Sequence, residues 1–133
     1  MPPHIERTYR DFSSHRHYSR FSVKISETDL YILADSDLTA LASEAVHRCR
    51  SQIEEYIRIR PEFRTSLVPL SGDSLAPDIV REMLDASCRA GVGPMASVAG
   101  AVAEFVGRLL LEKSANVVVE NGGDIYFNVK DDI

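Results

Sequence analysis

The sequence predicts an α+β domain in which antiparallel strands pack against flanking helices. Residues 21–25 and 125–129 alternate apolar and polar side chains, which is typical of strands with one buried face. Residues 38–57 and 94–110 carry apolar side chains at three- and four-residue steps, which is typical of amphipathic helices. Short polar turns between neighbouring apolar segments indicate hairpins, and therefore antiparallel pairing.

Composition indicates a globular chain with enough residues for one domain and its own core. The 133 residues are 44% hydrophobic and 26% charged, and their net charge is −5. This negative balance argues against a nucleic-acid-binding surface. No stretch reaches the ~18 apolar residues that a membrane span requires. Because no secretory signal is visible and Cys49 and Cys88 fall in helical patterns, we expect a reduced, cytoplasmic protein with two buried thiols.

The first half of the domain is predicted to be a hairpin followed by one long helix. Strands at 21–26 and 30–34 flank a turn at Glu27–Asp29. Asp35–Asp37 supplies side-chain oxygens and negative charge for the N-terminus of the helix. Pro61 is expected to end that helix, because the residue before a proline is disfavoured in the helical conformation.

The second half is predicted to contain a short edge strand and two more helices. Leu67–Leu70 is apolar, and its Pro69 restricts it to an edge because proline cannot donate to a ladder. Pro77 suits the first turn of a second helix, and Gly91 suits its left-handed C-terminal cap. The third helix begins near Pro94.

The third helix has a stripe of residues with little or no side-chain bulk. The stripe consists of Ala96, Gly100, Ala103 and Gly107. A glycine inside a helix costs roughly 1 kcal/mol relative to alanine, so the space it leaves is expected to be used. Close packing against a sheet or another helix is the simpler explanation, and a bound ligand is the alternative.

One glycine turn precedes this helix and a second glycine turn follows the next strand. These two turns are the candidate ligand sites. Gly91–Pro94 could present main-chain amides to an anion at a helix N-terminus, although a simple helix-to-helix corner is the alternative. Asn121–Asp124 contains two glycines that permit positive φ and a close approach to a ligand. Glu120 and Asp124 could hold a metal or a ligand hydroxyl, whereas an ordinary Asn-Gly hairpin is the alternative.

Several segments, in this order along the chain, together resemble a known family. They are Glu27–Leu30, Arg60–Phe63, Ala90–Ala96, Ala99–Ala101 and Glu120–Asp124. The pattern resembles an uncharacterised bacterial and archaeal family related to ApbE, the FAD:protein FMN transferase. The resemblance implies a T-fold-like domain of antiparallel sheets with flanking helices. It also implies that residues 21–133 are the N-terminal portion of one ApbE-like domain whose C-terminal portion is absent, while residues 1–20, which are polar, are expected to be a poorly packed lead-in.

The resemblance further implies FAD or FMN bound near the glycine turns, with Mg²⁺ as a candidate ion. Val92–Met95 resembles a Val-Gly-Pro-Leu motif of the transferases, and Gly100–Glu104 resembles their Gly-Tyr-Ala-Val-Asp motif. Asn121–Asp124 resembles their Asn-x-Gly-Gly-Asp/Glu loop, one residue shorter. The residues that this implies for ligand binding are Gly93, Pro94, Gly100, Glu104, Asn121, Gly122, Gly123 and Asp124.

Two departures from the transferase pattern disfavour catalysis. The transferases carry Asp-Pro-Thr where this chain has Arg89–Gly91, and they carry lysine where it has Ala99. The sequence therefore favours binding of a flavin or nucleotide-like ligand without flavin transfer. Two alternatives stay open. One is a Mg²⁺-dependent FMN transferase, and the other is a non-catalytic assembly module, either a homo-oligomer or a half-fold completed by a partner.

Overall fold

A computed structural model describes residues 17–130 and shows one four-stranded antiparallel sheet with helices packed against one face. The strands, in the order in which they pair, are β1 (Ser19–Ile25), β2 (Thr28–Ala34), β3 (Val117–Asn121) and β4 (Asp124–Asn128). The helices are α1 (Thr39–Ile59), α2 (Glu62–Thr65), α3 (Asp78–Ala90) and α4 (Val98–Leu110), with a 3₁₀ turn at Pro94–Ser97 before α4. The predicted α+β class with an antiparallel sheet and flanking helices is confirmed.

The two faces of the sheet have different environments. Side chains such as Ile32 and Val119 share the main core with the helices. Leu33 and Val118 point to the opposite face, where a second, small cluster forms with Tyr18 and Val129. Because successive residues of a strand alternate between faces, the continuous apolar segment of β3 is covered on both, as predicted. We call the side of the sheet that carries Leu33 and Val118 the helix-free face.

The first predicted hairpin is confirmed, but its turn is tighter than expected. Ile25 pairs with Thr28, so the turn consists of Ser26 and Glu27 and not of Glu27–Asp29. Ser26 adopts the left-handed conformation with φ of 52°. The strand β1 begins at Ser19, two residues inside the predicted lead-in at 1–20, and residues 1–16 of that lead-in lie outside the described residues.

The predicted edge strand at Leu67–Leu70 is wrong. The Ser66 hydroxyl donates to the Val68 carbonyl at 2.7 Å and accepts from the Val68 N–H at 3.2 Å, so the segment makes a local turn. Pro69 removes a ladder donor, and the local hydrogen bonds satisfy the main chain without a partner strand. The short helix α2, with Phe63 fully buried, was not predicted.

The prediction of two buried thiols holds for Cys49 and is wrong for Cys88, which is exposed. Ser87 takes the buried position on that turn of α3, where its hydroxyl donates to the Met83 carbonyl at 2.6 Å. Burial raises the pKa of the Cys49 thiol to about 12, so this thiol stays protonated and inert.

Among the described helices, none is long and apolar enough by itself to cross a membrane. Residues 78–90 and 94–110 pass such a test only when they are taken together, and they are bent by 103° relative to each other.

Asp35 does not cap helix α1 but connects the end of β2 to the segment before β3. Its carboxylate accepts hydrogen bonds from the Ala115 N–H at 2.7 Å and from the Asn116 side-chain amide at 3.0 Å. The role expected at the helix start falls partly to Asp37, whose carboxylate accepts from the Thr39 N–H at 3.0 Å. Asp35 therefore links segments that are about eighty positions apart in the sequence.

Replacing Asp35 with asparagine should destabilise the domain by about 1 kcal/mol at neutral pH, because an amide cannot accept all these bonds. Burial raises the pKa of Asp35, but the hydrogen bonds from Asn116 and Ala115 outweigh it, so the pKa lies below its ordinary value. This stabilisation is present above the ordinary pKa of about 4 and is lost as pH falls through the lowered pKa. Urea unfolding of D35N and wild type should therefore differ at neutral pH and converge in acid. A difference that stays constant across this pH range would contradict the role given to the Asp35 carboxylate. D29N, which changes a carboxylate of β2 to an amide, serves as the control.

Candidate functional site

A large cleft lies between α3, α4 and the start of β4. Its volume is about 530 Å³, which is within the roughly 300–1,000 Å³ typical of small-molecule sites. The lining residues are Glu82, Asp85, Ala86, Arg89, Ser97, Gly100, Ala101, Glu104, Asp124, Ile125 and Tyr126. We call this space the α3–α4 cleft.

Three of the residues predicted for ligand binding meet in this cleft. Gly100 and Glu104 lie one turn apart on α4, and Asp124 is the first residue of β4. A Cβ atom added at Gly100 would be 3.5 Å from Asp124 Oδ1, so the glycine leaves the space beside that carboxylate open. Two segments that are separate in the sequence therefore converge on one wall.

The other residues of the hairpin turn hold it against α4 and do not line the cleft. The Asn121 side chain donates to the Ala99 carbonyl at 3.1 Å, which anchors the end of β3 to the first turn of the helix. Gly122 and Gly123 have φ of 57° and 97°, so the turn requires glycine's conformational freedom. The Gly123 N–H donates to Glu120 Oε1 at 3.2 Å. The turn thus places Asp124 in the cleft.

Gly93 and Pro94 make packing contacts away from the cleft. A Cβ atom at Gly93 would lie 1.8 Å from the Ser66 carbonyl oxygen, so the main chain after α2 packs directly on this glycine. Pro94 is buried and begins the 3₁₀ turn that leads into α4. The structure therefore brings the second glycine turn, and not the first, to the cleft. The geometry of Gly91–Pro94 is that of a closely packed corner, with Gly91 as the left-handed cap at φ of 73°.

Most charges along the cleft are paired with each other. Arg108 bridges Glu82 at 3.4 Å and also pairs with Glu104, one turn before it on α4. Arg89 pairs with Asp85 on α3.

The pKa of Glu82 is raised, first by its burial and then by the negative charge of Glu104, against the opposing effect of Arg108. Within residues 17–130, no ion pair is formed by Asp124, which is exposed. Asp124 is therefore the carboxylate most available to a ligand.

The carboxylates and the guanidinium that α3 contributes were missed by the sequence reasoning. Glu82, Asp85 and Arg89 recur at steps of three and four residues, so they line the polar face of this helix. That periodicity was visible in the sequence, but a polar helix face usually contacts solvent, and only the fold shows that α4 and β4 stand opposite it.

No group of three or more His, Cys, Asp or Glu side chains in the described residues is placed to hold a metal ion. Because Mg²⁺ commonly binds through one or two carboxylates together with ligand phosphates, the expected Mg²⁺ stays a prediction. Glu120 is 2% exposed and its Oε2 atom has no hydrogen-bond partner within that range. By alternation with Val119 this carboxylate points to the helix-free face, away from the cleft.

A family model described as AbpE bacteria matches residues 10–133. The chain belongs to this family. Related archaeal proteins include a UPF0280 protein of Methanocaldococcus jannaschii, 42% identical over 110 residues that cover 82% of this chain and 44% of the relative. A UPF0280 protein of Archaeoglobus fulgidus is 38% identical over 108 residues, which cover 80% of this chain and 46% of the relative. The chain thus spans less than half the length of these curated relatives.

The expected relationship to the ApbE flavin transferases is wrong. The matching family model and the UPF0280 relatives define a different, uncharacterised family, and none of their descriptions names a flavin or a transfer reaction. The motifs that suggested the transferases are short glycine turns. Such turns recur in unrelated proteins because a left-handed conformation or a close main-chain contact requires glycine. In this AbpE bacteria chain, Gly91, Gly93, Gly122 and Gly123 each meet such a requirement.

Proposed function

We propose that this domain binds a nucleoside-like ligand in the α3–α4 cleft. The first candidate is the ring and sugar-like part of a flavin. The observation that carries the proposal is the convergence of Gly100, Glu104 and Asp124 on one wall of a space large enough for such a ligand. Asp124 accepts hydrogen bonds from the ligand, and the gap at Gly100 admits the ligand beside it.

The charges of the cleft select the kind of ligand. Four carboxylates line it, and the guanidinium groups of Arg89 and Arg108 pair with three of them, which leaves more negative than positive charge around the space. An uncompensated phosphate is repelled by this field, whereas hydroxyl, amine and ring N–H groups are natural donors to carboxylates. Tyr126, which lies on the helix side of the sheet, adds apolar surface for a flat ring at the β4 side. The cleft therefore favours the uncharged part of a nucleotide-like molecule over its phosphates.

Riboflavin should bind more tightly than FMN in the absence of Mg²⁺, because only FMN brings a phosphate to the carboxylates. We expect saturable quenching of flavin fluorescence with riboflavin and a weaker response with FMN. Isothermal titration with adenosine tests whether another nucleoside is preferred. Replacing Asp124 with alanine removes the free acceptor and should weaken binding by about tenfold or more, since a hydrogen bond to a charged group contributes about 1.5–3 kcal/mol.

Glu112→Ala is the matched control, because Glu112 is an exposed carboxylate just after the end of α4 and outside the cleft. It should bind like wild type. Equal affinity of D124A and wild type, or no saturable binding of any of these ligands, would overturn the proposal. Repeating the FMN titration with Mg²⁺ shows whether an ion that screens the phosphate restores binding.

A further inference from the structure

The outer edge of β4 is an unpaired strand edge with exposed apolar side chains. β3 pairs with β4 on one side, and no described strand pairs with it on the other. Phe127 is 67% exposed and Ile125 is 38% exposed, and both point to the helix-free face. Natural proteins normally protect such edges with charge, twist or a covering segment, so an apolar open edge indicates a pairing partner.

The main-chain groups of this edge are arranged for a further antiparallel strand. The two-residue turn makes Asn121 and Asp124 the closing hydrogen-bonded pair of the hairpin. Tyr126 and Asn128 likewise direct their N–H and carbonyl groups toward β3. Ile125 and Phe127 therefore direct their N–H and carbonyl groups away from β3. The N–H of Lys130 also points toward the inside of the sheet, because it donates to the Asn116 side chain at 2.8 Å.

The sequence along this edge is complementary to itself when it is reversed about Phe127. Residues 124–130 read Asp-Ile-Tyr-Phe-Asn-Val-Lys. An antiparallel copy centred on Phe127 places Phe127 opposite Phe127 and Ile125 opposite Val129, all on the helix-free face. On the other face it places Asp124 opposite Lys130. Apolar residues thus meet apolar residues and opposite charges meet at both ends, which are the favourable cross-strand pairs.

We infer that two copies of this chain associate through their β4 edges, in antiparallel register centred on Phe127, to form one continuous eight-stranded sheet. The arrangement has two-fold symmetry, so the same edge serves both partners and the assembly closes as a dimer. It also brings Lys130 of the second copy beside Asp124, so the dimer and a ligand in the α3–α4 cleft compete for this carboxylate.

A lysine at position 127 should weaken the dimer by roughly tenfold or more, because each interface loses a buried aromatic pair and gains two like charges. Sedimentation velocity over a concentration series, without ligand because Asp124 belongs to both sites, gives the dissociation constant. Leu75→Lys is the matched control, since Leu75 is 94% exposed in the loop before α3 and is not part of β4, and it should dimerise like wild type. Circular dichroism confirms that each variant remains folded.

The register is tested by cysteine cross-linking in a Cys88→Ser background. A cysteine at position 127 faces its own copy at a Cα separation of ~5.5 Å, which a disulfide can span, so oxidation should give covalent dimers. A cysteine at 125 should not cross-link to itself but should cross-link to one at 129 when the two proteins are mixed. A monomer at every concentration, an F127K dimer as tight as wild type, or cross-linking of 125 to 127 would overturn the inference.

Discussion

Replacing Gly93 with alanine should destabilise the domain by about 3 kcal/mol or more. A Cβ atom at this position would lie 1.8 Å from the Ser66 carbonyl oxygen and 2.7 Å from the Ser66 carbonyl carbon. Both atoms belong to main chain, and the Ser66 N–H is itself bonded to the Glu62 carbonyl at 2.9 Å. Relief of the overlap requires α2 or the 3₁₀ turn to move, and such overpacking is among the more costly single substitutions.

Gly72 provides the control for this substitution. An added Cβ there meets nothing within 4 Å, and its φ is not left-handed, so G72A should be neutral or slightly stabilising. Urea unfolding monitored by circular dichroism compares the two variants with wild type. Equal stability of G93A and G72A would show that the close packing at Ser66 does not hold in solution.

The local pattern of the sequence was sufficient for most of the fold. Periodicity located α1, α3 and α4, and the Asn-Gly turn located the hairpin of β3 and β4. These predictions succeeded because amphipathic spacing and turn chemistry act within a few residues. What failed depended on distant partners. Asp35 had the right chemistry for a helix cap, but Ala115 and Asn116, far along the chain, use its carboxylate instead.

The candidate site was predicted only in part, for the same physical reason. Gly100, Glu104 and Asp124 were singled out and they do line one cleft, although whether they bind a ligand stays a prediction. Gly93 of the first turn looked equally suitable as a ligand-binding residue, yet the space left by its missing side chain is occupied by the main chain at Ser66. A glycine in a sequence indicates that space or an unusual φ is needed, but not which group occupies the space. The opposite wall on α3 requires knowledge of helix packing, which no local pattern carries.

Replacing Gly107 with alanine should destabilise the domain by about 2 kcal/mol, whereas the same change at Gly100 should be neutral or stabilising. Both glycines lie within α4, so each substitution gains roughly the same helix propensity, up to about 1 kcal/mol. A Cβ at Gly107 would lie 2.1 Å from Cδ2 and 3.1 Å from Cγ of Tyr126, which is too close for the ring to remain in place. At Gly100 the nearest atom is Asp124 Oδ1 at 3.5 Å, an ordinary contact. The pair therefore separates steric overlap from propensity.

Removing the ring should remove the penalty at Gly107. In a Tyr126→Ala background, alanine at position 107 has room, so its cost should fall by about 2 kcal/mol or more and become neutral or favourable, which a double-mutant cycle in urea measures directly. Because Tyr126 also lines the α3–α4 cleft, G107A should weaken riboflavin binding by displacing its ring. An unchanged cost of G107A in the Y126A background would show that the strain lies elsewhere. If the cost of G107A does fall in the Y126A background, the contact between Gly107 of α4 and Tyr126 of β4 is the one that shapes this wall of the cleft.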